Sequence, residues 1–337
     1  MRKVEVSEDE ELGELEDKTE ALTLRSKRTE RARKKQAKRV EKPSRDSQHL
    51  LSLPYELVLD ILALLRPSDV FNLQRVSRAF HQFITQQDHR ISRAITSWRY
   101  VCLDKCFRLP VLMENIDPSI HAVIQSPERQ ELLIIHKKPY QHIQSPNPAE
   151  ICTCLTCLLR WSALCLIVDF AHWQRNLDIG EPIPMIPRGK HPAWNQNLVA
   201  SNAAIVRKAL CSPLWHARLL EAHLDSTTRS ISRHAANKGN KRRRFRMSKE
   251  DMESGSDLFL EKSGPPSFDF PFHRDNYYML EAYLPNRGWS AENNRWMYVP
   301  AEQHDIDIQF IVNWAKRRQR PASGSGNDMV WKGESSK

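Results

Sequence analysis

The stretch from Leu53 to Ile84, LPYELVLDILALLRPSDVFNLQRVSRAFHQFI, decides the fold of residues 50–88. Pro54 stands directly before an apolar run, and Glu56 follows where the first turn of a helix would lie. A proline suits the first turn because its missing N–H has no partner there, and a carboxylate suits the positive end of the helix dipole. Pro67 then interrupts the run. The pattern predicts a first helix that ends near residue 65.

Two further helix starts follow within a few residues. Ser68 or Asp69 can cap a second helix, and Ser77 can cap a third, because their side-chain oxygens accept hydrogen bonds from free backbone N–H groups. The second helix would carry Val70, Leu73 and Val76, and the third Phe80, Phe83 and Ile84. The stretch therefore predicts three short helices in succession.

The first of these helices carries more apolar surface than a small core needs. Leu57, Ile61, Leu64 and Leu65 recur at helical spacing on one face, and Val58 and Leu62 widen that face. Large exposed apolar patches mark interaction sites. The excess predicts a surface for a partner protein, and the alternative is an ordinary helical hairpin inside a larger core.

The Leu-Pro-x-Glu-Leu start at 53–57, the apolar spacing and the Val-Ser-Arg-x-Phe end at 76–80 resemble an F-box. The F-box ties a substrate receptor to the Skp adaptor of a cullin–RING ubiquitin ligase. The resemblance implies a Skp-type adaptor and a cullin as partners, an unidentified protein substrate, and no catalysis by this chain. The adaptor-binding residues that it implies are Leu53, Pro54, Leu57, Ile61, Leu62, Leu65, Val70, Leu73, Val76, Phe80 and Ile84.

Motifs beyond this stretch resemble the F-box proteins of filamentous fungi. They are Cys152-x-Cys154-x2-Cys157, Val168–Trp173, Ser212–Trp215, Tyr277–Tyr283 and Arg295–Tyr298. The resemblance implies an F-box followed by one α-rich domain of unassigned ligand.

Composition favours a mainly α fold in a chain of 337 residues, which contains only 10 Gly. We predict a disordered charged tail at 1–46, the F-box at 48–90, an irregular α-rich domain at 91–320 with Pro-rich extended loops, and a disordered tail at 321–337. Within the α-rich domain, the polar, basic segment 226–257 is interpreted as a mobile loop.

Five elements of the α-rich domain can be placed from local patterns. The segment 151–175 predicts a long core helix, and Arg160 in its middle argues against the alternative of a membrane span. The prolines of 181–187 require extended chain. Helices are expected at 199–211 and 213–224, and at 305–318, where Ile306, Phe310 and Trp314 share one face.

Cys152, Cys154 and Cys157 are the strongest candidates for a chemical role. A structural zinc site needs a fourth ligand, almost always Cys or His, and Cys102, Cys106, His136 or His142 could supply it. In a continuous helix, however, Cys152 and Cys154 would point to different sides, whereas Cys154, Leu158, Trp161 and Cys165 share a face. We therefore predict packed core thiols with no metal and no other cofactor, and zinc is the alternative.

The net charge of +10 is unevenly distributed, because residues 25–42 hold ten basic and two acidic side chains. Arg31, Arg33, Lys34, Lys35, Lys38 and Arg39 form a candidate nuclear import signal. No groove-reading motif accompanies this charge, so nucleic acid is not a predicted partner. A basic nuclear protein that associates with nucleic acid is a further alternative interpretation. No nucleophile motif, P-loop or apolar leader is present, so we expect a non-catalytic protein of the nucleus or cytoplasm that is neither secreted nor in a membrane. An F-box protein that binds the adaptor in a non-degradative scaffold role is the chief alternative.

Overall fold

The computed structural model describes most of the chain from residue 50 to residue 319. The described ranges are 50–137, 141–187, 189–237, 247–261, 273–285, 287–292, 294–298 and 303–319, with residues 28, 30, 31, 33–35, 245 and 271 in addition. The chain divides into two units, Met1–Leu53 and Pro54–Lys337. In the first unit, the described residues between 28 and 35 are helical and exposed, and Leu50–Ser52 forms a 3-10 turn. The predicted disordered tails, 1–46 and 321–337, otherwise lie outside the described residues.

The second unit is built mainly of helices, which confirms the predicted fold class. Its helices are α1 (Tyr55–Leu64), α2 (Pro67–Gln74), α3 (Arg78–Gln86), α4 (Asp88–Arg99), α5 (Val101–Cys106), α6 (Pro118–Ile124), α7 (Pro127–Lys137), α8 (Leu155–His172), α9 (Gln174–Ile179), α10 (Ala193–Cys211), α11 (Pro213–Ala236), α12 (Lys249–Ser254) and α13 (His304–Gln319). Short 3-10 turns lie at Met113–Asn115, Leu258–Glu261, Arg274–Tyr278 and Leu280–Ala282. Strands β1 (Arg287–Ser290) and β2 (Arg295–Tyr298) form an antiparallel hairpin in which Trp289 pairs with Trp296.

The core forms where α8, α10 and α11 pack against one another. Helix α8 is long and apolar enough to cross a membrane by length and composition alone, but Trp161, Leu164 and Ile167 are fully buried inside the protein. It starts at Leu155 and not at 151, because Ile151 forms a β-bridge with Leu112. The segment 181–187 has neither helix nor strand, in agreement with its prolines.

The prediction of a mobile loop at 226–257 is wrong for much of that segment. Helix α11 continues to Ala236, and a second helix, α12, covers Lys249–Ser254. Several polar residues of α11, among them Ser226, Thr227 and Ser230, are buried in the core, where the Thr227 hydroxyl donates to the His223 carbonyl at 2.8 Å. Hydroxyl groups that bond back along the helix need no water, so polarity alone did not distinguish this buried helix from a loop. Residues 238–244 and 246 lie outside the described residues.

Helix α13 confirms the predicted helix at 305–318 but presents a different face to the core. Ile306 and Phe310, predicted to share the apolar face, are exposed, whereas Ile308 and Ile311 are buried. The first turn of α13 is tied to the start of α8, where the Thr156 N–H donates to the Asp307 carboxylate at 2.7 Å. This attachment at residue 307 accounts for the face that turns inward.

His223 makes the stability of the fold sensitive to acid. Its ring lies 4.4 Å from that of Phe107 between centroids, and burial lowers its pKa from 6.5 to about 4. Between pH 6.5 and 4, His223 binds a proton in the unfolded chain but stays neutral in the folded chain. This contribution to stability is therefore complete above pH 6.5 and is lost as the pH falls toward 4, by about 1.4 kcal/mol per pH unit.

We expect His223→Leu to reduce the slope of the free energy of unfolding against pH between pH 6.5 and 4. The reduction should correspond to close to one proton, which is about 1.4 kcal/mol per pH unit. Denaturant titrations of both proteins across this range measure the slope. At pH 8 histidine is neutral in both states, so the difference there isolates the packing effect. Burial raises the pKa of Asp257 to about 6, which has the opposite sign but is common to both proteins. Equal slopes would show that His223 does not carry this dependence.

Candidate adaptor-binding surface

Helix α1 has two apolar faces, and only one of them packs inside the protein. Pro54 caps the helix with φ −49° and ψ 139°, and Glu56 lies in the first turn, as the sequence predicts. Val58 and Leu62 are buried, whereas Leu57 is 49% exposed, Ile61 36% and Leu64 68%. The exposed residues recur at i, i+4 and i+7, so they form one row along the helix. We call Leu57, Ile61 and Leu64 the outer row.

The next two helices begin as the local signals require, with one correction. Ser77 caps α3 by accepting a hydrogen bond from the Phe80 N–H at 3.3 Å, which confirms the prediction. Helix α2 instead starts with Pro67 in its first turn and Arg66 as its cap, so neither Ser68 nor Asp69 caps it.

The structure divides the predicted adaptor-binding residues into three groups by exposure. Pro54, Leu57, Ile61 and Val76 are exposed, and Leu53, Leu65, Leu73 and Phe80 are half-buried. Leu62, Val70 and Ile84 have no exposed surface, so their assignment to a partner-facing role is wrong for this conformation. These three support the helices from inside.

A buried carboxylate of the core helix α11 holds the start of α2. Glu221 accepts from the Ser68 N–H at 2.8 Å and from the Ser68 hydroxyl at 2.6 Å. Ser68 lies in the first turn of α2, where N–H groups lack partners within the helix and negative charge is favourable. The rings of Phe71 and Trp215 add a contact between the same helices, with centroids 4.8 Å apart.

Two further polar groups join the F-box helices to the rest of the second unit. The Asp88 carboxylate accepts from the Ser212 hydroxyl at 2.6 Å and from the Leu214 N–H at 2.7 Å, at the start of α11. Arg99 donates to the Leu64 carbonyl at 2.8 Å, at the end of α1, and to the Gly255 carbonyl at 3.1 Å, beyond the end of α12. Both contacts place charge where the helix dipole favours it.

The F-box helices therefore belong to the same compact unit as the residues that follow them. A F-box-like family model matches residues 50–104, which extends beyond the predicted F-box boundary at residue 90 and includes α4 and most of α5. The chain accordingly contains an F-box-like domain at residues 50–104. No curated protein and no solved structure gives a significant match.

An F-box-like domain is typical of the Skp-binding adaptors of SCF-type ubiquitin ligase complexes, and F-box proteins are generally non-catalytic.

A buried polar cluster elsewhere in the chain has the character of a structural element. Asp169 is fully buried and is paired with Arg274, Tyr277 and Asn202, so all of its hydrogen-bonding capacity is engaged within the protein. The cavity beside Arg274, lined also by His142 and His273, measures about 80 Å³.

The remaining predicted site residues have different outcomes. Arg31, Arg33, Lys34 and Lys35 are exposed, and Lys38 and Arg39 lie outside the described residues. Nuclear import through this run stays a prediction.

The arrangement of the three cysteines differs from the one predicted from the sequence. Cys152, Cys154 and Cys157 are buried, as predicted, but their sulfur atoms converge together with His304. The expectation that Cys152 and Cys154 point to different sides is wrong, because α8 starts after both. His304 was not among the fourth ligands considered, and of those Cys102, Cys106 and His142 do not join the described group.

Proposed function

We propose that this protein is a substrate receptor of an SCF-type cullin–RING ubiquitin ligase. Its F-box would bind the Skp-type adaptor, and through it a cullin, while residues beyond the F-box bind a protein target. The chain itself would form no bonds. It would act by proximity, holding the target near the charged ubiquitin-conjugating enzyme so that the transfer becomes nearly intramolecular.

The outer row of α1 is the observation that carries this proposal. Leu57, Ile61 and Leu64 expose apolar surface although Val58 and Leu62 on the same helix already supply its core contacts. Val76, which is 69% exposed after the end of α2, adds to the apolar surface of the F-box region. Polar contacts from Glu221 and Arg99 hold these helices in place before a partner arrives, and such preorganisation lowers the entropic cost of binding.

We expect the double substitution Leu57→Ala, Ile61→Ala to weaken binding of the Skp-type adaptor by at least about 30-fold, because loss of buried aliphatic anchors costs roughly 2 kcal/mol or more. Calorimetry with the purified adaptor measures the affinity. The matched control is Leu258→Ala, Ile179→Ala, which removes the same side-chain types from exposed positions outside the F-box. The melting temperatures of both variants should stay close to that of the unmodified protein.

Two results would count against the proposal. If the outer-row variant binds the adaptor as tightly as the control variant does, the outer row is not the docking surface. If the unmodified protein fails to co-purify with adaptor and cullin, the rival of a basic nuclear protein gains support. Comparing target lifetimes in cells with the unmodified protein and with the outer-row variant separates a degradative role from a scaffold role.

A further inference from the structure

Three cysteines and one histidine place their ligand atoms at the spacing of a metal site. Nδ1 of His304 lies 3.4 Å from Sγ of Cys154 and 3.3 Å from Sγ of Cys157. One ligand atom from each of the four residues lies within 4.8 Å of the others. A tetrahedral zinc ion with Zn–S near 2.3 Å and Zn–N near 2.0 Å implies sulfur–nitrogen edges of about 3.5 Å and sulfur–sulfur edges of about 3.8 Å.

The backbone around the cysteines explains their convergence. Ile151 forms a β-bridge with Leu112, and the Cys152 N–H donates to the Val111 carbonyl at 2.9 Å, so this part of the chain is extended. Cys154 is the N-cap of α8 with φ −67° and ψ 161°, and Cys157 lies in the first turn. An extended segment that enters a helix turn brings all three sulfurs to one side.

Backbone N–H groups are directed at each of the three sulfurs. Cys152 Sγ accepts from the Cys154 N–H, Cys154 Sγ from the Cys157 N–H, and Cys157 Sγ from the Val111 N–H, each at 3.4 Å. A neutral thiol is only a weak acceptor, whereas a metal-bound thiolate is negatively charged and is stabilised by such second-shell donors. Arg129 donates to the Thr153 carbonyl and supplies positive charge next to the group.

His304 is positioned by contacts that do not require a metal. It is the first residue of α13, and Asp307 in the same turn accepts from the Thr156 N–H of α8 at 2.7 Å. Ile308 and Ile311 pack against the cysteines together with Met113, Ile116 and Ile124. The imidazole is therefore held beside the thiols although His304 lies 147 positions after Cys157 in the chain.

We propose that Cys152, Cys154, Cys157 and His304 bind one Zn²⁺ ion that fixes the start of α13 to the start of α8. Three buried thiolates and one half-buried imidazole form a closed ligand set of the kind that structural zinc sites use. Soft thiolate ligands also favour zinc over magnesium or calcium. The site goes beyond adaptor binding and does not depend on it, because it lies outside the F-box-like region 50–104.

Elemental analysis of the full-length chain, purified without a metal-affinity step under reducing conditions, tests the proposal. We expect one zinc ion per chain in the unmodified protein and in Cys165→Ser, which removes a buried cysteine of the same helix outside the group. Cys157→Ser and His304→Ala should lose the metal. His304→Cys should keep it, because four thiolates also form a structural site.

A second measurement does not depend on variants that could fail to fold. Chelator-treated unmodified protein, reduced and given Co²⁺, should show the intense visible bands of tetrahedral cobalt and a thiolate charge-transfer band. Chelation should also lower the melting temperature by at least roughly 5 °C, because only the folded chain presents the complete site. The zinc proposal is wrong, and the cysteines are packed thiols without metal, if neither Zn²⁺ nor Co²⁺ binds the reduced protein. The same conclusion follows if Cys165→Ser loses zinc as fully as Cys157→Ser does.

Discussion

Replacing Asp169 with alanine is expected to lower the free energy of unfolding by about 3–5 kcal/mol, because one partner of a buried ion pair would be removed. Asp169 accepts from Arg274 at 2.8 and 2.9 Å, from the Tyr277 hydroxyl at 2.8 Å and from the Asn202 amide at 3.1 Å. Without the carboxylate, the Arg274 guanidinium would stay buried without its counter-ion. Denaturant unfolding followed by tryptophan fluorescence measures the loss.

A double-mutant cycle separates the ion pair from the packing around it. Asp169→Leu with Arg274→Met replaces both charges with apolar groups, so no buried charge is left unpaired. We expect the double variant to be more stable than Asp169→Leu alone. Arg274 also lies over the rings of Trp173 and Trp194, at 5.3 and 5.7 Å, and methionine preserves part of that contact. Additive losses, or a cost for Asp169→Ala below about 1 kcal/mol, would show that the pair does not support the core.

The three F-box helices could be predicted from sequence because their signals are local. Pro54 and Ser77 mark helix starts by backbone chemistry that involves residues at most a few positions away. The error at α2 has the same origin. Ser68 is a good cap on intrinsic preference, but here its N–H and hydroxyl donate to Glu221, a residue 153 positions away.

Which apolar face of α1 packs inside could not be predicted. Leu57, Ile61 and Leu64 are as apolar as Val58 and Leu62, and periodicity identifies faces without assigning them to the interior or to the surface. The same limit applies to α13, where Ile306 and Phe310 were assigned to the buried face. The assignment depends on tertiary contacts, which α1 makes with α4 and which α13 makes with α6 and α8.

The convergence of the three cysteines with His304 could not be predicted for a related reason. The spacing of Cys152, Cys154 and Cys157 is visible in the sequence, but in a helix that continues back through Cys152 the side chains of Cys152 and Cys154 would point to different sides. The β-bridge between Leu112 and Ile151 prevents α8 from continuing back through Cys152. No local sequence pattern predicts this bridge. His304 carries no spacing signal, because only the fold brings it near the thiols.

Glu221→Ala is expected to destabilise the protein by about 3 kcal/mol and also to weaken adaptor binding. Two hydrogen bonds to a charged acceptor are lost, each worth roughly 1.5–3 kcal/mol, and packing around the smaller side chain recovers only part of this. Glu221 is buried, so it would offer little surface to the adaptor. Any effect on adaptor affinity would therefore act through the position of α2. Denaturant unfolding and adaptor calorimetry measure the two consequences.

Hydrogen exchange distinguishes this local effect from general destabilisation. The amide of Ser68 should lose its protection in Glu221→Ala, because its acceptor is the missing carboxylate. Arg218→Ala is the matched control, since it removes the ion-pair partner 3.4 Å from Glu221 but leaves both contacts to Ser68. Arg218 is partly exposed, so this substitution should cost no more than about 1 kcal/mol. If Glu221→Ala binds the adaptor as tightly as Arg218→Ala does, the F-box surface is independent of α11, and the outer row alone would account for adaptor recognition.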